Sequence, residues 1–267
     1  MPIDPSTSKQ KAIDVQAPYG WAVGHSIFDF YIRNFAGVDP ADGTSTWTVY
    51  YDDANGNKVY NAGEEVLDLE AFYSSNPDKK GALFTSTTKD YTKATQYYIG
   101  KSAIPDVRGA FNLSGGFKGL ELNVQLLYSF GGYSYDYLYA GLMANGLIGG
   151  NNWSTDIRKR WQKPGDITDV PRLSNNADVN VASTSSRFIT KANYLALNNI
   201  RLGYNLPSSL LQKVPGIQQA SLWVSGDNLW LHSERQGFNP ATDEAGETNT
   251  YRYSPLSTVT VGLKLKF

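Results

Sequence analysis

The sequence predicts an all-β protein, an antiparallel meander of about six long strands, and three observations carry that expectation. The first is composition: 18 Tyr, 11 Phe and 6 Trp, with 25 Gly and 12 Pro to turn the chain, suit half-buried strands joined by turns. The second is period-2 alternation sustained over roughly 11 to 15 residues, about twice the length of an ordinary globular strand. The third is the rhythm of the connections, in which long polar stretches alternate with short ones.

The segments with strand character are 21–35, 107–117, 120–130, 193–206, 219–231 and 255–267. In 120–130 one face reads Leu120, Leu122, Val124, Leu126, Tyr128 and Phe130. The other reads Glu121, Asn123, Gln125 and Ser129, with Leu127 as the exception. In 193–206 one face holds Tyr194, Ala196, Ile200, Leu202, Tyr204 and Leu206, broken by Asn198. The final strand sets Val259, Val261, Leu263, Leu265 and Phe267 against Thr258, Thr260, Gly262, Lys264 and Lys266. Such alternation belongs to sheets with one apolar and one polar face, not to parallel sheets covered on both sides.

Connection 36–106 is long and polar, and a tight turn follows at Lys118–Gly119. Connection 131–192 is longer still, rich in Gly, Asn, Ser and Asp. A short link, PSSLLQKVPGIQ, holds a single helical turn, and the polar stretch 232–254 leads into the last strand. Structureless loops of this length do not suit a compact soluble domain. Strands long enough to cross a bilayer at a tilt, with short turns at one end and long loops at the other, are the pattern of a transmembrane β-barrel. The expected organisation is a polar leader or periplasmic turn region over 1–20, then barrel segment over 21–267. Loops 36–106, 131–192 and 232–254 lie on the extracellular side.

Four blocks resemble the SusC/RagA-type TonB-dependent transporters of Bacteroidetes outer membranes. They are GHSIFDFYIRNFAGVDPADG from Gly24, YIGKSAIPDVRGAFNLSGGFKGLELNVQLLYSFGG from Tyr98, NYLALNNIRLGYNLPSSLL from Asn193 and ASLWVSGDNLWLHSERQGFNP from Ala220. They occur in that family's order and cover most of the chain, though Asn239 stands where Asp is more usual. The ending is similar to the outer-membrane assembly signal, with Thr260, Gly262, Leu265 and Phe267 at its positions and Leu265 where an aromatic is common. The resemblance implies the C-terminal portion of a large barrel, a fragment without the N-terminal plug or the TonB-contacting box. It implies uptake of oligosaccharides or peptides with a SusD-like surface lipoprotein, energy from TonB–ExbB–ExbD, a place in outer-membrane lipid, and no transport by the fragment alone.

Other functions find little support. Net charge is -1, so no basic field recruits nucleic acid. With no cysteine and two separated histidines, His25 and His232, thiol chemistry is excluded and a metal centre is not expected. No apolar run is long enough for a transmembrane helix, and the first residues lack a signal-peptide pattern. DDANGNKVYNAGEE places Asp53, Asn55, Asn57 and Glu64 at first, third, fifth and twelfth positions of a calcium loop, but Lys58 replaces the required glycine. No acid pair, triad or GxSxG suggests an enzyme, and no cofactor is expected. Tyr133, Tyr135, Tyr137 and Tyr139 alternate, with Trp153 and Trp161 following. They read as an aromatic girdle and loop packing, or as a stacking surface for sugars. The competing fold is a soluble β-sandwich carbohydrate-binding module, with a dry core between two sheets.

Overall fold

The computed structural model describes residues 11–146, 152–235, 237–242 and 254–267. Residues 1–10 of the expected leader therefore lie outside the described residues, as do 147–151 of the second expected loop and 236 and 243–253 of the third. The chain divides into two compact units. One comprises Pro105–Tyr133 and Lys191–Phe267; the other runs up to Ile104 and resumes over Ser134–Thr190.

The first unit is a single five-stranded antiparallel sheet. Its strands are β1 (Val107–Phe117), β2 (Leu120–Phe130), β3 (Tyr194–Asn205), β4 (Gln219–Ser233) and β5 (Thr258–Lys266). Each pairs with its neighbour in the sequence, so the sheet is an up-and-down meander with β1 and β5 at its edges. Lys118 and Gly119 both have positive φ, 47° and 87°, the type I′ geometry whose twist matches that of the strands it joins. Pro207 opens the expected helical turn, Ser208–Leu211. Both short connections and Lys266 share one end of the sheet, as the parity of the strands requires.

Register gives the sheet two unlike faces. Phe111, Leu113 and Phe117 align with Leu126, Val124 and Leu120. These continue into Leu197, Ile200 and Tyr204, then β4 adds Leu222 and Val224 and β5 adds Val261 and Leu263. The opposite face carries Asn112, Ser114, Glu121, Asn123, Gln125, Asn199, Arg201, Ser225 and Thr260 by the same pairings.

One expectation about faces is corrected. Tyr194 and Ala196 do not share a face with Ile200, because the β2–β3 register shifts between Gln125 and Leu126 and the β3–β4 register between Leu197 and Asn199. The extra residue of this bulge is Asn198. A bulge reverses the alternation locally, so Leu195 and Leu197 join the apolar face instead. Asn228, with φ of 51°, absorbs the matching irregularity in β4.

The second unit is built from shorter pieces. Asp14–Gln16, Tyr19–Trp21, Asp29–Arg33 and Gln96–Ser102 form one sheet. In another, Ser45–Tyr51 is central, pairing with Phe35–Val38 and Glu65–Val66 on one side and with Phe84–Thr88 on the other. The segment 21–35, expected as one long strand, is interrupted. Gly24 turns the chain at φ of 87°, and Ser26 and Asp29 close a local turn in which the Ser26 N–H donates to Asp29 Oδ2 at 3.0 Å.

Connections 36–106 and 131–192 are folded and joined to each other. The Trp161 indole N–H donates to the Pro40 carbonyl at 3.0 Å, Arg172 donates to the Asp42 carbonyl at 3.2 Å, and the Tyr91 hydroxyl donates to the Thr184 carbonyl at 2.9 Å. Phe30, Tyr31, Val49, Tyr135, Val181 and Phe188 are buried in this unit's core. The Tyr31 hydroxyl donates at 2.6 Å to Asp68, whose carboxylate also caps helix Leu69–Ser75. Burial and the neighbouring carboxylate push the Tyr31 phenol well above its ordinary range.

Glu65 is ion-paired with Lys93, and that hydrogen bond draws its carboxyl down from 4.5 to about 2. A depressed carboxylate stabilises the fold fully above its unfolded value and loses that contribution as pH falls through its folded one. Acid titration of tyrosine and tryptophan fluorescence is therefore expected to show this unit loosening between 4.5 and about 2, with Glu65→Gln weaker at neutral pH and flatter across that window. Identical acid profiles for the two proteins would show that the pair contributes nothing.

Candidate functional site

The features with functional meaning are the two faces of the long-stranded sheet and the polar and aromatic groups of the second unit. On the apolar face the side chains stand out from the molecule: Phe111 is 60%, Leu113 62% and Val261 70% exposed. That is a contiguous apolar surface over five strands, larger than the isolated apolar residues a soluble surface tolerates. From Leu120 to Phe130 the rise is about 33 Å along the strand, or about 25 Å along the bilayer normal at the ~40° tilt of membrane barrels, the height of their lipid-facing band. Aromatic residues mark both margins, with Phe117 and Tyr204 by the short turns and Tyr128, Phe130 and Trp230 towards the other end. A β-sandwich would bury such a face under a second sheet, so its exposure overturns the competing fold.

The polar face is tied across the strands by side chains. Gln125 donates to Asn112 Oδ1 at 2.9 Å and accepts from Asn198 Nδ2 at 2.6 Å. Asn199 donates to Asp227 at 2.6 Å and Asn205 to Glu121 at 2.7 Å. The Arg201 guanidinium lies 4.4 Å from the centre of the Trp223 ring. Cross-strand polar contacts of this kind hold register without an apolar core on that side.

The residues of the terminal motif divide between these faces. Thr260 pairs with Ser225 and Gly262 with Trp223 on the polar face, while Leu265 pairs with Ala220 on the apolar face. Phe267 is exposed just beyond the end of β5.

The tyrosine series does not form one stripe. Tyr133 falls in the long-stranded unit. Beyond it Asp136 accepts from the Tyr139 N–H at 3.0 Å and starts helix Tyr137–Leu142, ending the alternation. Tyr135 is buried against Tyr137, with ring centres 4.5 Å apart, and lies 6.3 Å from Phe188. The Tyr139 hydroxyl donates to Asp156 at 2.9 Å. Trp153 is half-buried, and the Trp161 ring occupies the space a side chain on Gly43 would need.

In the calcium-like loop the oxygens already accept protein hydrogens. Asp53 accepts from the N–H groups of Asn57 and Lys58 at 3.1 and 2.9 Å. Asn55 accepts from Asn57 N–H at 2.9 Å and offers its amide nitrogen to Glu64 at 2.8 Å. Asn57 Oδ1 accepts from the Val59 N–H at 2.7 Å. Among the described residues no group of three or more His, Cys, Asp or Glu is placed to hold a metal ion, and no helix is long and apolar enough to cross a membrane.

A cleft of about 370 Å³ in the second unit was not anticipated. Ser45, Trp47, Lys89, Tyr91, Asp178 and Asn180 are among the residues that line it. Its sequence signal was the buried alternation Ser45, Trp47, Val49, Tyr51, inside a stretch read as loop.

No protein-family model matches the chain. Two curated relatives from Formosa agariphila are similar to it. TonB-dependent receptor P3 is 29% identical over 209 residues, covering 74% of this chain and 20% of the relative. TonB-dependent receptor P39 is 26% identical over 228 residues, covering 80% of this chain and 22% of the relative. Among solved structures, the RagAB peptide importer in its closed-closed state aligns with a TM-score of 0.70 at 24% identity, over 96% of this chain and 25% of that one. A structure of the RagAB peptide transporter gives 0.70 and 24% over 98% and 25%. The chain thus spans about a fifth of the curated relatives it matches and a quarter of the solved ones.

By fold, then, the chain is a segment of the wall of a large antiparallel transmembrane β-barrel, open among the described residues. More particularly, it is similar to a part of the SusC/RagA type of TonB-dependent receptor, as the four sequence blocks implied. None of these counterparts is named as an enzyme.

Proposed function

We propose that the chain contributes wall and mouth to a TonB-dependent importer of the bacterial outer membrane, which takes up an oligosaccharide or a peptide with a SusD-like surface lipoprotein. The observation that carries this reading is the apolar face of the sheet, continuous over β1 to β5 and exposed, backed by a polar face fit for a lumen. The second unit, the chain up to Ile104 and Ser134–Thr190, takes in most of the two segments expected as the first extracellular loops. Energy for uptake comes from TonB–ExbB–ExbD. Thr260, Gly262, Leu265 and Phe267 serve as the assembly signal of the last strand.

The test is uptake by cells with and without the receptor gene that carries this segment, across labelled oligosaccharides and peptides, before and after dissipation of the proton gradient. Loss of gradient-dependent uptake of one ligand class on deletion, with a lipoprotein co-purifying with the receptor, is the expected result. Unchanged uptake of every class, or recovery of the protein in the soluble fraction, would reject the reading.

A further inference from the structure

We propose that the short-turn end of the five-stranded sheet is an anchor for acidic phospholipid headgroups, with Lys118 and Lys213 as the groups that hold their phosphates. The proposal rests on the reading of the apolar face as lipid-facing and goes beyond it by assigning the chemistry of the lipid surface at one end. The hairpin turn Lys118–Gly119 and the link after β3 are neighbours there. The Gly119 carbonyl accepts the Asn205 N–H at 2.7 Å, and Pro207 opens the link two residues later.

This end of the sheet is strongly basic. Over residues 117–121, 203–221 and 262–267 the chain carries Lys118, Lys213, Lys264 and Lys266 against the one carboxylate of Glu121. None of the four lysines is in an ion pair among the described residues. The Glu121 carboxylate is engaged instead by the Asn205 amide at 2.7 Å. At the long-loop end, by contrast, Lys191 has Glu234 at 3.6 Å. Lys264 and Lys266 belong to the polar face of β5 and add to the positive field.

Exposed apolar groups sit beside the other two lysines. Phe117, on the apolar face, is 70% exposed, and Lys118 Nζ lies 5.2 Å from the centre of its ring. The ammonium is thereby held at the margin of the lipid-facing surface. In the link, Leu210 and Val214 are 50% and 47% exposed, and the Lys213 N–H between them donates to the Leu210 carbonyl at 3.3 Å. A turn built for water alone would not present leucine and valine around a lysine. An interfacial segment does, because its apolar groups enter the acyl boundary while the lysine stem carries the charge out to the headgroups. Unpaired ammonium groups at that depth select a headgroup with net negative charge over a zwitterionic one.

The test is denaturant unfolding of the whole chain at low salt, in vesicles of phosphatidylcholine and in mixed vesicles of phosphatidylcholine and phosphatidylglycerol. Phosphatidylglycerol is expected to raise the folding equilibrium constant of the parent chain. Lys118→Gln and Lys213→Gln are each expected to lose about fivefold of that gain, the contribution of one lysine at an anionic surface. Lys80→Gln is the control, since Lys80 is exposed in the second unit and its loss removes the same charge from the unfolded chain. It is expected to keep the parent's gain. High salt is expected to erase the gain, and inorganic phosphate added to phosphatidylcholine vesicles is expected not to reproduce it. No gain from phosphatidylglycerol, equal losses in the three variants, or a gain reproduced by inorganic phosphate overturns the proposal. Flotation with the vesicles is a separate readout: a chain that floats yet ignores phosphatidylglycerol rejects this inference alone, whereas a chain that never floats rejects the membrane reading along with it.

Discussion

Leu113→Arg is expected to destabilise the protein in lipid by about 2–4 kcal/mol, the cost of a cationic side chain near the bilayer midplane of a membrane β-barrel. The position separates two accounts of the apolar face. Leu113 sits near the middle of β1, aligned with Val124, and most of its side chain is exposed. If water covered that face, exchanging an exposed leucine for arginine would change stability by no more than about 0.5 kcal/mol. If lipid covers it, the guanidinium must be desolvated or must drag water and headgroups towards the midplane. Ser114 is the control. It is the next residue on the same strand and faces the polar side opposite Asn123, so Ser114→Arg is expected to cost less than about 1 kcal/mol. The measurement is reversible denaturant unfolding of both variants and the parent chain in phospholipid vesicles. Equal effects at the two positions would mean that the faces do not differ in what they contact.

The long-stranded sheet was legible in the sequence because each of its strands must satisfy one apolar and one polar environment over many residues. Val107–Phe117 and Leu120–Phe130 match their expected bounds to the residue, since the alternation runs through both with Leu127 as its exception and Lys118–Gly119 supplies the turn. The alternation failed only at Asn198, where one extra residue reverses the faces without changing composition. The second unit was less legible for a physical reason. Its strands are two to seven residues long, so period 2 has little room to accumulate, and its core is assembled from segments more than a hundred residues apart, as in the contact of Trp161 with Pro40. Tyr135 illustrates the consequence. It belongs to an apparent alternation of tyrosines, yet Asp136 starts a helix behind it and the ring is consumed by the core. The cleft at Ser45 and Trp47 was hidden in the same way, because its other wall, residues 177–180, comes from a distant part of the chain.

Gly262 carries the second large effect. It occupies the glycine position of the terminal motif, and the structure supplies a steric reason for glycine there. A Cβ at Gly262 would fall within the indole ring of Trp223, reaching Nε1 at 2.6 Å. Trp223 is its register partner on β4. On the other side of Trp223 the partner is Gly203, and the Arg201 guanidinium lies over the ring, so the indole is held down across the last strand between two glycines. The backbone at Gly262 is not in the left-handed region, and the requirement is therefore one of space, not of φ. Gly262→Ala is expected to cost about 1–3 kcal/mol, the usual penalty for overfilling a packed position. In a Trp223→Ala background the same substitution should become neutral, or stabilising by up to about 1 kcal/mol, because alanine restricts the unfolded chain more than glycine does. The two changes are thus coupled, and a double-mutant cycle on unfolding free energies in lipid reads the coupling directly. Additive effects would assign Gly262 a role independent of Trp223, such as recognition of the strand during assembly. A sign reversal would show that the glycine is the socket for a ring that locks β5 to β4.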